Sequence, residues 1–283
     1  MKSSYFVPEE KMRNMLKEGA MNSMDGICLF GVTDPGVKRL LPPPLELTDP
    51  ANPLFYLYIV NIREPSFAPW YLEGGIGVMA KYGDKTGVYF FNLMLSGPGA
   101  LMGAFTGREG SGLPKKLCER ILVERTGNYG RCYMERNGVR LVDVELEIGS
   151  YNDPGFSNGA ENSADVPGGL LSEGGCLLHK YRLDGGGAKD MELIFYDSPS
   201  RYYSWEPAAA TVKLASSIDD PYGEIPLVSV LGAAWYVSDN WVRGMSTLYR
   251  YPQDKTGEAM RYLFTGRYDQ CLLYRSHQIY ETK

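Results

Sequence analysis

The segment Val139–Ile148, which reads Val-Arg-Leu-Val-Asp-Val-Glu-Leu-Glu-Ile, alternates between two kinds of side chain. After Arg140, every second residue is apolar, whereas the positions between them turn acidic. Successive side chains of a β-strand point to opposite faces of the sheet. The alternation therefore predicts a strand with one buried face and one solvated face.

Further strand-like runs occur on both sides of this segment, separated by turn signals such as Gly83-Asp84, Asn137-Gly138 and Asp184-Gly185. They are Leu54–Ile62, Ile76–Tyr82, Val88–Leu95, Arg131–Glu135, Leu177–Leu183, Met191–Tyr196, Thr211–Ser216 and Leu227–Val237. The 33 glycines and 21 tyrosines agree with short strands joined by tight turns. We predict a mainly β (α+β) protein with a few short helices.

Three segments depart from the strand pattern. Residues 8–22 have the acids and apolar spacing of a helix, within a helical N-terminal extension over residues 1–24. A short helix is expected over Pro98–Phe105. Residues 150–175 are rich in Gly, Asn, Ser and Asp without periodicity, which is typical of a lid or a disordered loop. We expect a mobile flap there, within a single domain spanning residues 1–283.

Composition limits the classes of function. The net charge is −5, with Lys and Arg scattered, so no basic stripe suits a nucleic acid. No apolar run reaches the ~18 residues of a membrane span, and acids occupy the place of a signal-peptide core. Five cysteines without a CxxC pair and two histidines make a metal site unexpected. Gly97–Gly103 lacks the spacing of a nucleotide loop. We expect a cytoplasmic protein without a cofactor.

The segment whose residues suggest catalysis is Gly107–Leu117, which reads Gly-Arg-Glu-Gly-Ser-Gly-Leu-Pro-Lys-Lys-Leu. Adjacent lysines are most often surface charge, but here glycines and Pro114 restrain the approach while Leu113 and Leu117 supply apolar bulk. A lysine amine becomes a nucleophile when desolvation or a neighbouring cation lowers its pKa. Such an amine condenses with a ketone to form an imine.

This segment resembles the acetoacetate decarboxylase family in Gly-Arg-Glu followed by Pro-Lys-Lys. The resemblance extends to Tyr71–Gly75, Leu41–Glu46 and Ala210–Asp239. It implies a closed antiparallel β-barrel or cone with the lysine inside. It also implies that Lys115 is the Schiff-base nucleophile, Lys116 its pKa-lowering neighbour and Glu73 a pocket acid, as in the general example of a lysine activated by a second cation. The remaining matches, Arg108 and Glu109, are expected to brace the loop.

The sequence also departs from the family pattern. Val32 stands where the family places an arginine that holds the substrate carboxylate, and Tyr56 or Tyr58 stands where it places a second acid. Arg63 is a candidate replacement for the missing cation. The imine chemistry is thus expected to be kept while substrate recognition is altered.

The leading hypothesis is therefore a Schiff-base-forming lyase that acts on a ketone or keto acid, with a redirected reaction of the aldolase, dehydratase or cyclase type. The alternatives are a true acetoacetate decarboxylase and a non-catalytic β-barrel that binds small molecules. The expected partners are a small keto substrate and further copies of the chain in a homo-oligomer, with neither nucleic acid nor membrane.

Overall fold

The computed structural model describes residues 4–17 and 19–274, and this part of the chain forms mainly strands. The helices are α1 (Glu9–Lys17), α2 (Ala100–Ser111) and α3 (Thr256–Leu263). The strands are β1 (Ala20–Thr33), β2 (Glu46–Leu47), β3 (Leu54–Pro65), β4 (Tyr71–Tyr82), β5 (Lys85–Ser96), β6 (Lys115–Leu117), β7 (Arg120–Thr126), β8 (Tyr129–Arg136), β9 (Val139–Ile148), β10 (Leu170–Ser172), β11 (Gly175–Leu183), β12 (Ala188–Asp197), β13 (Ser200–Leu214), β14 (Leu227–Trp241) and β15 (Gly244–Arg250).

All of these strands belong to one mixed sheet. Its order is β15-β12-β11-β5-β4-β3-β1-β14-β13-β9-β8-β7, while β2, β6 and β10 pair beside this path with β4, β5 and β13. Most neighbours are antiparallel, but β6 runs parallel to β5, and β11 meets β5 through one parallel pair, Cys176 with Val88. The mainly β prediction is confirmed, and Val139–Ile148 is a strand with the predicted bounds.

The prediction of a closed barrel is wrong. The path of strands ends at β15 and at β7, and these two strands do not pair with each other. The sheet instead folds over itself, so that Ile121 of β7 packs in the same core as Leu57 and Ile59 of β3. Side-chain burial between the two parts of the sheet completes the core, so closure by backbone hydrogen bonds is not needed.

Alternation along the central strands divides the interior into two clusters. In β3, Phe55, Leu57 and Ile59 face the larger core, whereas Tyr56 and Tyr58 face the smaller cluster, which also contains Val60 and Ile62. In β1, Ile27 and Leu29 lie in the larger core, and Cys28 and Phe30 lie in the smaller cluster. The period of two assigns neighbouring residues to opposite faces. The smaller cluster is the one that surrounds the candidate site.

The predicted helical extension over residues 1–24 needs correction. Within the described residues, α1 ends at Lys17 and β1 begins at Ala20. Because β1 pairs with β3 on one side and β14 on the other, inter-strand hydrogen bonds and burial override the weak local helical pattern. The short helix after Gly97 is confirmed and continues to Ser111 as α2.

Residues 150–175 are packed rather than detached from the sheet. Asn152 exchanges hydrogen bonds with the backbone of Ala210, and the Phe156 ring lies 5.4 Å from that of Phe30. A short 3-10 turn, Ser163–Asp165, and β10 follow. The segment therefore covers the Phe30 end of the smaller cluster, and its motion stays a prediction.

None of the helices in the described part of the chain is long and apolar enough to cross a membrane.

Candidate active site

Lys115 is a buried lysine at the start of β6. Strand β6 pairs with β5 so that Lys115 lies beside Leu93, a residue of the smaller cluster. The side chain of Lys115 is 4% exposed, and its Nζ lies 2.7 Å from Oε2 of Glu73, which is 3% exposed. Glu73 lies on β4, where its neighbours Val60 and Leu95 also face the smaller cluster. A buried charge requires such a partner.

Tyr58 fixes the other oxygen of Glu73. Its hydroxyl donates a hydrogen bond of 2.6 Å to Oε1 of Glu73. Burial first, and the nearby Glu73 charge second, raise the pKa of Tyr58 well above its usual value, so the phenol stays a donor. The other oxygen, Oε2, contacts the Lys115 amine and has no further hydrogen-bond partner among the described residues. One carboxylate thus has an oriented oxygen and an oxygen available for proton transfer.

Glycine in α2 makes room for the lysine. A Cβ atom at Gly107 would lie 2.8 Å from both Cδ and Cε of Lys115, which is closer than van der Waals contact allows. The Lys115 amine also lies 5.9 Å from the centre of the Tyr71 ring, within the range of a cation–π contact. The helix and Tyr71 together confine the lysine stem and leave its amine directed toward Glu73.

Aromatic side chains extend the site away from the lysine. Tyr58 stacks 6.0 Å from Tyr56, and Tyr56 lies 5.2 Å from Phe30. The rest of this aromatic wall is Phe90, Tyr202, Trp205 and Tyr236. At its far end a cleft of about 320 Å³, counting the space open to solvent, is bounded by Phe30, Phe156 and Trp205. Such a surface suits apolar groups held by contact area.

Lys116 lies on the opposite side of β6 from Lys115. Its amine donates to the backbone oxygen of Asp219 (2.7 Å) and to Oδ1 of Asp220 (2.9 Å), and Asp269 Oδ1 is 3.2 Å away. Arg136 bridges the same two carboxylates, at 2.7 Å from Asp220 and 2.8 Å from Asp269.

The position of Lys116 does not support its predicted role. Adjacent residues of a strand point to opposite faces, and two carboxylates offset the Lys116 charge. The structure does not bring the two amines together, so it gives Lys116 no geometry for acting on Lys115 as a free cation. Lys116 instead ties β6 to Asp220 and Asp269.

Arg63 does not reach the site. Arg63 lies near the end of β3, on the same face of the strand as Phe55, Leu57 and Ile59. Its side chain is 58% exposed, and its Nε donates a hydrogen bond of 2.7 Å to Oδ1 of Asp25. The alternation that directs Tyr58 inward directs Arg63 away, so the prediction that Arg63 replaces the missing cation is not supported by its position. Val32 is half-buried and shares a β1 face with Phe30, beyond the aromatic wall. Besides Lys115, the buried lysines and arginines among the described residues are Lys116, which binds Asp219 and Asp220, and Arg267, which binds the backbone of Gly112 and His179.

The two bracing candidates differ. The Arg108 guanidinium stacks over Tyr268 at 5.1 Å, so it connects α2 to the segment after α3. Glu109 is exposed on the last turn of α2. Sequence reasoning missed the aromatic residues beyond Tyr56 and Tyr58 and the acidic partners of Lys116. Asp219 and Asp220 lie more than 100 residues from Lys116, and no local sequence pattern relates them to it.

The fold and these contacts define a class: a β-sheet protein with a buried lysine–carboxylate pair beside a cluster of aromatic side chains. A family model for acetoacetate decarboxylase matches residues 5–252. The chain is also 32% identical over 275 residues, 95% of both chains, to the "CLA biosynthesis isomerase" of Lactiplantibacillus plantarum. The chain belongs to the acetoacetate decarboxylase family.

Solved structures agree in fold. The acetoacetate decarboxylase of Legionella pneumophila is 14% identical, with a TM-score of 0.69 over 89% of this chain and 93% of that one. The enduracididine biosynthesis enzyme MppR, complexed with pyruvate, is 12% identical, with a TM-score of 0.62 over 89% of this chain and 95% of that one. At these identities the likeness concerns the fold alone.

Proposed function

We propose that this chain is an enzyme in which Lys115 forms a Schiff base with an apolar ketone or keto acid, and in which Glu73 then moves a proton on the substrate. The observation that carries the proposal is the buried Lys115–Glu73 contact of 2.7 Å, which borders the aromatic wall. A nucleophile within hydrogen-bond reach of an oriented base is the arrangement that imine catalysis requires.

The first step is imine formation. Glu73 accepts the proton that the Lys115 ammonium loses, and the neutral amine adds to the ketone carbon. Glu73 returns its proton to the hydroxyl of the resulting adduct, and loss of that hydroxyl as water leaves a protonated imine on Nζ and Glu73 again as a carboxylate. Tyr58 keeps one Glu73 oxygen bonded throughout, so that the other stays aligned with the amine.

The second step is proton transfer rather than loss of carbon dioxide. A protonated imine makes the neighbouring C–H acidic, and Glu73 can take that proton to form an enamine. In a substrate with a double bond one carbon further along, returning the proton at the far carbon moves the double bond into conjugation. Hydrolysis then releases the ketone and restores Lys115. An isomerisation of this type is in keeping with the name of the 32%-identical relative.

The predicted aldolase, dehydratase or cyclase reactions share the imine and enamine, so they stay alternatives within the proposal. Decarboxylation is the second candidate because the family model is that of acetoacetate decarboxylase. A carboxylate normally needs a cation for orientation. Arg63 faces solvent, and Val32 carries no charge. The apolar wall favours a larger substrate held by contact.

Borohydride trapping tests the proposal. Incubating the protein with an apolar ketone and borohydride should add the reduced ligand mass to the peptide that contains Lys115. Lys115→Gln should abolish the adduct, and Lys38→Gln, which changes an exposed lysine, should not. Exchange of the α-hydrogens in deuterium oxide without release of carbon dioxide from acetoacetate would support proton transfer. Absence of any Lys115 adduct would favour the non-catalytic binding protein, and rapid release of carbon dioxide would favour decarboxylation.

A further inference from the structure

A second cleft lies behind the loop that leads to Lys115. It has a volume of about 300 Å³, counting the space open to solvent, and is bounded by Tyr89, Gly112, Pro114, His179 and Arg267. Tyr89 and Phe90 both line it, and Phe90 also contacts Tyr58 in the smaller cluster. Neither Lys115 nor Glu73 lines the cleft.

Arg267 is a buried cation without a carboxylate partner. The residue is 8% exposed, its guanidinium donates to the backbone oxygens of Gly112 and His179 (2.7 Å for the latter), and it stacks 4.3 Å from the Tyr181 ring. Throughout residues 4–17 and 19–274, no acidic side chain lies within ion-pair distance of it. Buried charges are normally paired, so an uncompensated guanidinium beside a cleft favours an anion.

His179 supplies a second unsatisfied group. It is 3% exposed, and its Nε2 lies 2.9 Å from the hydroxyl of Tyr251. That hydroxyl donates its single proton to the backbone oxygen of Pro43, so it must accept from Nε2. Nδ1 is then the unprotonated acceptor, and it has no partner among the described residues. Burial, and secondly Arg267, lower the pKa of His179 to about 3, in accord with a neutral ring.

We propose that this cleft binds a small hydroxy-carboxylate. The carboxylate would bind to the guanidinium of Arg267, and the hydroxyl would donate to Nδ1 of His179. A simple carboxylate meets the first requirement but presents only acceptors to Nδ1. The groups facing His179 are Tyr89 on β5, Tyr251 after β15 and Arg267 after α3, with no acid among them. The site is independent of the proposed imine chemistry.

Glycolate and acetate form a matched pair of probes, because they differ by one hydroxyl. In a His277→Gln variant, His179 is the single histidine, so its imidazole ¹⁵N resonances can be followed by NMR at constant ionic strength. Glycolate should shift the Nδ1 resonance in the direction of an accepted hydrogen bond. Acetate should bind about tenfold more weakly, as expected for one missing hydrogen bond.

Variants locate the response. Arg267→Gln should weaken glycolate binding by tenfold or more, whereas Arg261→Gln, an exposed arginine on α3, should leave it unchanged. Lys115→Gln should also keep the response, because Lys115 does not line the cleft. An unchanged Nδ1 signal at saturating glycolate, or equal affinity for acetate, would overturn the proposal. Since that comparison uses intact Arg267, it holds even if Arg267→Gln fails to fold.

Discussion

At the scale of single residues, Glu73 is held by two unequal contacts. Tyr58 binds Oε1, and the Lys115 amine approaches Oε2. Without the phenol, the carboxylate could turn and present either oxygen to the amine. In the proposed reaction, Tyr58 therefore orients the base without contacting the nucleophile.

Tyr58→Phe should slow borohydride trapping at Lys115 by roughly ten- to a hundredfold, since a hydrogen bond to a charged group contributes about 1.5–3 kcal/mol. Because the Tyr58 pKa is raised, the wild-type phenol keeps its proton at alkaline pH. The trapping rates of the wild-type and Tyr58→Phe proteins should therefore change with pH in the same way up to about pH 10. Tyr203→Phe is the matched control, because Tyr203 donates to Asp239 at the surface. Equal trapping rates in wild-type and Tyr58→Phe proteins would contradict this role.

Gly107→Ala should hinder the lysine without removing any reactive group. The added Cβ would lie 2.8 Å from the Lys115 stem, so the amine must leave its position near Glu73. The expected result is a trapping rate at least about tenfold lower, from misplacement of the nucleophile. Gly110→Ala in the same helix is the control, because nothing lies within 4 Å of its Cβ position. Comparable rates in both variants would show that the lysine adapts.

At the scale of elements, residues 150–169 cover the aromatic wall mainly through Phe156. This ring packs on Phe30 and against Gly232. Phe156→Ala should loosen the segment and speed its limited proteolysis several-fold, while an apolar ketone should slow the cleavage in the wild-type protein. Val166→Ala changes an exposed residue of the same segment and should have no effect. Cleavage that starts elsewhere in Phe156→Ala would argue against a cover.

The elements also show how far the sequence could be interpreted. Alternation located Val139–Ile148, because one of its faces is solvated. It did not locate β1, since Gly26 and Gly31 interrupt the pattern and strands pair on both sides. For the site, the family resemblance indicated Lys115 and Glu73. It could not indicate that Arg63 faces outward or that Lys116 faces Asp220, because strand parity and long-range pairing decide both positions.

At the scale of the whole molecule, the buried neutral His179 makes stability depend on pH. An unfolded histidine titrates near 6.5, whereas the folded pKa is about 3. Between these values the unfolded state binds the extra proton, so the free energy of unfolding falls as the pH is lowered. The slope from this one group approaches about 1.4 kcal/mol per pH unit. That contribution is complete above pH 6.5 and is lost toward pH 3.

His179→Gln should therefore reduce the loss of stability between about pH 7 and pH 5, measured by urea denaturation at both values. Glutamine can still donate to Tyr251 but does not titrate. His277→Gln removes the other histidine of the chain and should keep the wild-type dependence. Identical pH dependence in the wild-type and His179→Gln proteins would mean that carboxylates alone set the acid limit.

The segment after β15 lies almost entirely outside the region that the family model matches. The match to the family model ends at residue 252. Beyond that point, Arg267 donates a hydrogen bond to the Gly112 carbonyl and Asp269 forms an ion pair with the Lys116 amine, on either side of Lys115. A chain truncated after residue 252 would keep the whole matched region and lose both contacts. Residues outside the matched region therefore help to hold the chain in place on both sides of Lys115.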